Sequence, residues 1–388
     1  ITAKDQIKIL NGSFDIDAAN SAVKAKNTDD AELGNIYIAG GIFTIEAEQD
    51  GFHATGSIVV DDGTITVNSG DDGFHAELDT VIHGGTILVE KSNEGLEGKR
   101  VVVNGGDITV NASDDGANAA GSGDDDSNAA SSNNDSSAAV NSGDDSSISG
   151  AADGKEPPQM PPDTENGSDM QPSQDFDPEN APSGGNAPQN FDPGNAPSDG
   201  DAPQKMQGGP GGGGNSELYI KITGGTLTVS ADGDGLDSNG GLLVTGGTTI
   251  VYGPTSDGDS ALDYDGSAIV TGGTLAAIGS AGMTESFDEA STQPVITYYC
   301  TETQSADTTI TLTDSDGSAL FTVTPEKAYA SIVLTCPEMK LGATYTLAAG
   351  TDNEEITLTD IITTAGTRSV KTMIPLTLIS RTSCISNH

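Results

Sequence analysis

The sequence has no tryptophan, and aromatic residues make up only 4% of its 388 residues. Basic residues are scarce too, with 15 Lys and Arg against 59 Asp and Glu, so the formal net charge is -44. Such a charge repels nucleic acid phosphates and anionic membrane surfaces, and it favours a cationic partner, most simply a divalent metal ion. We therefore expect no nucleic acid partner.

Long apolar runs and cysteines are also rare. No run of about 18 apolar residues occurs, so we expect no membrane insertion. The chain begins at Ile1 rather than at methionine, which suggests a trimmed product whose export signal was already removed, so the absence of such a signal is uninformative. Three cysteines, Cys300, Cys336 and Cys384, leave two interpretations open: free thiols, or a Cys300–Cys336 disulfide with one thiol left over.

Glycine is abundant, with 51 residues, and it marks a repeat. Stretches such as "IYIAGGIFTI" and "VVVNGGDITV" each read as a short strand, a tight glycine turn and a second strand with alternating apolar residues. The turns recur about every 22 residues, apart from one long gap. The second glycines of these turns are Gly41, Gly63, Gly85, Gly106, Gly225, Gly247 and Gly273.

A third element follows each turn, in which an acidic residue and a small residue precede an apolar one. These apolar residues are predicted to form one inward-facing column: Phe52, Phe74, Leu96, Ala117, Leu236 and Leu262. Units of this size cannot bury an apolar face alone, but stacked units share a core. The sequence therefore predicts an all-β fold, a parallel β-helix with coils of about 22 residues, right-handed by general crossover chirality. The stretch around Gly12 and Val23 fits a degenerate first coil.

The repeat divides the chain into five segments. Residues 1–112 form the N-terminal coils, and residues 216–290 form the C-terminal coils of the same β-helix. Between them, residues 113–215 are acidic and then rich in Pro and Gly, which predicts a long disordered insertion. Residues 291–360 predict a small antiparallel β cap over the open edge of the helix, and residues 361–388 form an atypical tail without acidic residues.

The acidic residues are predicted to bind Ca²⁺. Equivalent residues of stacked coils lie about 4.8 Å apart, so Asp50, Asp72 and Glu94 form a column with Asp71 beside it. Each neighbouring pair of charges costs about 0.9 kcal/mol in water, and calcium, which takes six to eight hard oxygens, offsets this repulsion. The column of His53 and His75 changes in later coils to Glu97, Asn118, Asp237 and Asp263, which argues against a zinc pair. The densest candidate calcium cluster consists of Asp232, Asp234, Asp237, Asp257, Asp259 and Asp263. For this cluster the alternative to calcium binding is a merely solvated acidic face.

With "DGDGLDSNGGLLVTGGT", "ALDYDG" and the later "LGATYTL" in view, the chain resembles a family of bacterial surface carbohydrate-binding β-helix proteins, similar in shape to pectate lyases. The resemblance covers about residues 7–112 and 216–283. It implies an extracellular, calcium-containing binder of cellulose and acidic sugars without established catalysis. The calcium ligands that it implies are Asp232, Asp234, Asp237, Asp259 and Asp263.

The leading functional hypothesis is non-catalytic, calcium-dependent binding of a polysaccharide, with a uronic acid carboxylate bridged to the protein by calcium. The candidate carbohydrate-binding residues are Tyr252, Tyr264 and Asp265. Because aromatic residues are few, an acidic or amorphous plant-type glycan is favoured over flat crystalline cellulose. Two alternatives stay open. A calcium-rigidified structural or adhesive module needs no glycan, and a polysaccharide lyase needs a base, for which the candidates are Lys91, Lys99 and Arg100.

Overall fold

The computed structural model describes residues 1–30, 32–121 and 215–368. This part of the chain is all-β, and its strands are numbered in chain order. It contains no helix long and apolar enough to cross a membrane. Most of the predicted insertion, the last part of the predicted tail and Cys384 lie outside the described residues.

Three parallel sheets stack strand upon strand along the molecule, as in a β-helix. The first sheet consists of β1 (Thr2–Ala3), β4 (Val23–Ala25), β7 (Phe52–Ala54), β10 (Phe74–Ala76), β13 (Leu96–Gly98), β16 (Ala117–Ala119), β19 (Leu236–Ser238) and β22 (Leu262–Tyr264). The second sheet consists of β2 (Gln6–Ile9), β5 (Asn35–Ile38), β8 (Ile58–Val60), β11 (Asp79–Ile82), β14 (Arg100–Val103), β17 (Tyr219–Ile222), β20 (Gly241–Val244) and β23 (Ala268–Val270).

The third sheet carries the longest strands of the stack. Its parallel part consists of β3 (Ser13–Ala18), β6 (Ile42–Ala47), β9 (Thr64–Ser69), β12 (Thr86–Ser92), β15 (Asp107–Ala112), β18 (Thr226–Ala231), β21 (Thr248–Tyr252) and β24 (Thr274–Gly279). One strand from each of the three sheets makes up one coil. The strands before and after residues 122–214 pair directly, with Arg100 opposite Tyr219 in the second sheet and Asp107 opposite Thr226 in the third.

The glycine turns and the inward-facing column adopt the predicted arrangement. All seven second glycines have positive φ, from 77° at Gly225 to 134° at Gly63, a region that L side chains rarely adopt. In the first sheet, Phe74 pairs with Phe52 and with Leu96. The rings of Phe52 and Phe74 are stacked with their centroids 4.7 Å apart. Every member of the predicted column is at most 1% exposed, and Val23 pairs with Phe52, so the first coil is also as predicted.

Three further strands extend the C-terminal end of the third sheet in mixed orientation. This sheet continues from β24 through β28 (Tyr329–Thr335), β25 (Val295–Gln304) and β31 (Ile362–Gly366). A fourth, antiparallel sheet consists of β27 (Ala319–Val323), β26 (Ile310–Thr313), β29 (Thr344–Ala349) and β30 (Asp352–Thr357). The strands from β24 onward enclose a second apolar core. Cys300 and Cys336 are buried free thiols, so of the two interpretations of these cysteines the structure has the free form.

Candidate functional site

Two columns of side chains run along one edge of the stack, where the third sheet turns into the first. The acid column consists of Asp50, Asp72, Glu94, Asp115 and Asp234. The glycine after each of the first four acids donates its N–H to the carbonyl of the next acid, as Gly51 does to Asp72 at 2.9 Å and Gly95 does to Asp115 at 3.0 Å. Backbone hydrogen bonds therefore fix the spacing of the column.

The second column, called the ladder below, is formed by the middle residues of the first-sheet strands. Its members pair in register: Lys24, His53, His75, Glu97, Asn118, Asp237 and Asp263. Their neighbours on either side along each strand point into the core, so the ladder faces outward beside the acid column. The chemistry of the ladder changes from basic at one end to acidic at the other.

The two histidines of the ladder contact two members of the acid column. His53 Nδ1 lies 2.8 Å from Asp50 Oδ2, which also accepts a hydrogen bond from Ser21 Oγ at 2.8 Å. Burial raises the pKa of Asp50, but these partners outweigh burial and lower it. The next coil repeats the pair, with His75 Nδ1 3.0 Å from Asp72 Oδ2. Both acids are buried.

Carboxylates converge around this pair. Ligand atoms of Asp72, His75 and Glu97 lie within 4.8 Å of one another, and the same holds for Asp50, Asp71 and Asp72, so Asp72 belongs to both groups. Burial lowers the pKa of His75, but the carboxylates of Asp72 and Glu97 outweigh it and raise the pKa to about 11. Burial and the charges of Asp72 and Asp50 raise the pKa of Asp71.

Further along the acid column there is no histidine to compensate the charge. Burial raises the pKa of Glu94 to about 9, and the charges of Glu97, Asp72 and Asp115 add to this effect. Burial, and then the charge of Asp237, raises the pKa of Asp115 to about 8. Burial also raises the pKa of Asp234 to about 6. A divalent cation would relieve this crowding of negative charge.

Within the described residues, the predicted cluster does not bring three ligand atoms within 4.8 Å of one another. Its members are Asp232, Asp234, Asp237, Asp257, Asp259 and Asp263. Asp237 pairs with Asp263 in register. The step of the acid column after Asp234 is occupied by Ser260, whose N–H donates to Asp234 Oδ1. Asp259 comes one residue earlier and accepts a hydrogen bond from Ser256 Oγ at 2.9 Å. Asp232 forms an ion pair with Lys327 at 2.8 Å, and Asp257 is exposed.

The three predicted carbohydrate-binding residues differ in their exposure and packing. Asp265 is exposed. The ring of Tyr264 packs against the main core, and its hydroxyl donates to the carbonyl of Ser286. Tyr252 is half-buried against the second core. Neither tyrosine presents a fully exposed ring for stacking on a sugar.

Glu285 is a residue of the site that the repeat did not reveal. It lies beyond the last coil, and its charge neighbours include Asp263 and Asp234. Burial, and then the charge of Asp263, raises its pKa to about 7. Among the described residues its buried Oε2 has no hydrogen-bond partner. The acidic surface therefore extends past the end of the repeat, where sequence periodicity carries no signal.

Residues 1–150 match a family described as "Carbohydrate-binding domain-containing protein". The described part of this match runs from β1 to β16 and includes Asp50, Asp72, Glu94 and Asp115. No curated protein and no solved structure gave a significant match.

Proposed function

We propose that this protein binds polysaccharide at the cell surface without cleaving it, and that Ca²⁺ links its carboxylates to an acidic or amorphous plant-type glycan. The observation that carries this proposal is the similarity of residues 1–150 to carbohydrate-binding domain-containing proteins. That segment also contains most of the acid column. The segment similar to carbohydrate-binding proteins therefore overlaps the candidate cation surface.

The acid column supports the calcium part of the proposal. Carboxylate oxygens of Asp50, Asp71 and Asp72 lie within 4.8 Å of one another. Calcium takes six to eight oxygen ligands at 2.3–2.6 Å in flexible geometry. Three side chains leave several of these positions open, and a glycan carboxylate or hydroxyl can fill them. This arrangement lets a strongly acidic protein hold an acidic polymer.

Two features of the fold belong to the proposal. We take the stack to be a right-handed parallel β-helix with about 22 residues per coil, because its strand order and register repeat in that step. Its outer surface then presents successive coils at a spacing of about 4.8 Å, so cation sites can recur along an extended polymer chain.

A non-catalytic role is supported by the state of one candidate lyase base. The Arg100 guanidinium is bonded to the Asp79 carboxylate through two nitrogens, with Nη2 2.6 Å from Oδ2. Burial lowers the pKa of Arg100, but Asp79 outweighs it and raises the pKa. An arginine held this way does not accept the C5 proton of a uronate, which a lyase base must remove.

Retention on an immobilised acidic polymer tests the proposal. The full chain is applied to polygalacturonate with calcium and then with chelator, while ultraviolet absorbance monitors unsaturated products. Asp72→Asn tests the column, and Asp107→Asn is its control, because Asp107 is exposed on β15 between Thr86 and Thr226. Amorphous cellulose serves as the neutral polymer.

We expect retention that chelator abolishes, that Asp72→Asn weakens and that Asp107→Asn leaves unchanged, without product. Release of unsaturated product would replace the proposal with a lyase. Calcium-dependent stability without retention on either polymer would leave only the structural module.

A further inference from the structure

Three side chains of metal-ligand type meet between two adjacent coils. Asp72 and His75 come from one coil, and Glu97 comes from the next, where it pairs with His75 in the ladder. Their ligand atoms lie within 4.8 Å of one another. The side chains of Asp72, His75 and Glu97 are 10%, 17% and 18% exposed, so the group is largely enclosed but still accessible to a small ion.

The geometry at His75 brings two acceptors to one nitrogen. Asp72 Oδ2 lies 3.0 Å from His75 Nδ1, and Glu97 Oε2 contacts the same atom. An imidazole nitrogen carries at most one hydrogen and donates it to one acceptor, so the proton cannot serve both carboxylates fully. A metal ion can, because it bonds to one nitrogen and two carboxylate oxygens at about 2.0–2.2 Å each.

The preceding coil holds an incomplete copy of the same group. Asp50 and His53 have the same spacing as Asp72 and His75 and form the same contact, at 2.8 Å. The ladder residue that follows His53 is His75, however, and not a carboxylate. The two imidazole rings are stacked, with centroids 4.8 Å apart and planes 4° from parallel. Nitrogen lone pairs lie in the ring plane, so stacked rings do not point at one shared ion.

The next ladder residue supplies an independent observation, an unpaired buried acceptor. Asn118 pairs with Glu97 and is only 7% exposed. Its Nδ2 donates to Glu94 Oε2 at 3.1 Å, while its Oδ1 is buried with no hydrogen-bond partner within the described part of the chain. A buried acceptor left unpaired is costly. The Glu94 carboxylate and an unpaired carbonyl oxygen thus lie beside Glu97 of the His75 group.

We propose that Asp72, His75 and Glu97 form a three-ligand site for a borderline divalent transition metal such as Zn²⁺, with the fourth position open to solvent. Imidazole nitrogen suits zinc, whereas calcium prefers oxygen ligands alone. Three protein ligands with one open position is a recurring zinc geometry. The inference does not rest on the proposed carbohydrate binding, because it concerns metal uptake by the protein without glycan.

Zinc titration of the chelator-treated full chain tests the proposal. Isothermal titration calorimetry is run in parallel without calcium and with millimolar calcium, because the candidate calcium group of Asp50, Asp71 and Asp72 shares Asp72 with the zinc site. The test variants are His75→Asn and Glu97→Gln, and the controls are His53→Asn in the incomplete copy and Asp107→Asn on the outer face. Circular dichroism confirms that each variant is folded. Cobalt substitution gives a second readout, since visible absorption reports the coordination of Co²⁺.

We expect one zinc ion per chain that calcium does not displace. His75→Asn and Glu97→Gln should each weaken zinc binding by at least about 10-fold, the scale on which zinc sites respond even to loss of a supporting residue, and both controls should keep it. Equal zinc affinity in His75→Asn and the unaltered chain would overturn the proposal. So would the absence of zinc uptake by the unaltered chain, a result that does not depend on any variant folding.

Discussion

Replacing Asp71 with asparagine should stabilise the protein in chelator and remove that advantage in calcium. Asp71 is exposed, and its carboxylate lies within 4.8 Å of the ligand oxygens of Asp50 and Asp72. Two unit charges at that distance repel by about 0.9 kcal/mol in water and by about 3.5 kcal/mol at an effective dielectric constant of 20. Asp71 is exposed, and its neighbours Asp50 and Asp72 are contacted by His53 and His75. We therefore expect a repulsion near the lower value, roughly 1 kcal/mol in total.

Calcium should reverse the sign of this effect. An ion that binds only the folded state stabilises it by about 2.7 kcal/mol when its free concentration is 100 times its Kd. Asp71→Asn removes one ligand, and each tenfold loss of affinity costs about 1.4 kcal/mol of that stabilisation. Once calcium saturates the unaltered protein, this loss of calcium stabilisation in Asp71→Asn therefore equals or exceeds the stability gained from reduced repulsion.

Thermal unfolding in chelator and in calcium, followed by circular dichroism, measures both effects. For a folded unit of this size, about 1 kcal/mol corresponds to a Tm shift of about 2–4 °C. Asp107→Asn makes the same chemical change on the outer face and should shift Tm little in either buffer. If Asp71→Asn lowers Tm in chelator, or if its Tm responds to calcium as fully as the unaltered chain does, then charge repulsion relieved by calcium is the wrong account of this column.

Four further predictions concern the rest of the fold. Leu96→Ala removes a side chain that is fully buried in the inward-facing column and should cost about 2–5 kcal/mol in denaturant unfolding. Gly116→Ala would place a Cβ 2.1 Å from Val229 Cγ1 and 2.6 Å from Gly235 O, so it should destabilise the protein by about 1–3 kcal/mol. Its control is Gly258→Ala, whose Cβ would have no atom nearer than 4.0 Å and which should be neutral in the same assay. Burial, and then Asp352, raises the pKa of Cys300 to about 12, so iodoacetamide at pH 8 should modify it only after unfolding, as mass spectrometry can determine. In chelator, Glu94 and Asp115 hold protons in the folded state that the unfolded chain releases, because folding raises their pKa values from 4.5 to about 9 and from 3.8 to about 8. Their contribution to stability is complete below about pH 4 and should be lost as the pH rises to 9. A Tm that stays unchanged over that range would contradict this prediction.

The repeat made the backbone of the stack predictable. A turn glycine with positive φ and an apolar residue in the third element recur in every coil, so one correctly aligned coil fixes the others. Phe52 and Phe74 were predicted as neighbours in the core, and their rings are stacked there. The order of the ladder from His53 to Asp263 followed from the same alignment, because parallel register carries each residue to its equivalent one coil later.

Contacts that depend on side-chain conformation, or on an irregular coil, could not be predicted in this way. The extra residue before Leu262 puts Ser260 in the acid column and Asp259 beside it, and the spacing alone gave no means of choosing between them. The hydroxyl of Tyr264 is bonded to Ser286, which lies outside the repeat. Glu285 also lies outside it. The convergence of Asp72, His75 and Glu97 depends on rotamers that periodicity does not specify.

The ladder shows how a change of residue type at one repeated backbone position changes the chemistry along an otherwise uniform stack. At one end, His53 and His75 supply hydrogen bonds to Asp50 and Asp72, so the negative charge of those buried acids is partly compensated. Beyond Glu97 the same position carries Asn118 and then two aspartates, and burial raises the pKa of the neighbouring Glu94 and Asp115. The negative charge of the acid column is therefore least compensated where the ladder lacks histidine. Additional oxygen-seeking ions can bind there, whereas a nitrogen-seeking ion should bind at His75. Calcium at Asp50, Asp71 and Asp72 and zinc at His75 would share only one ligand, Asp72.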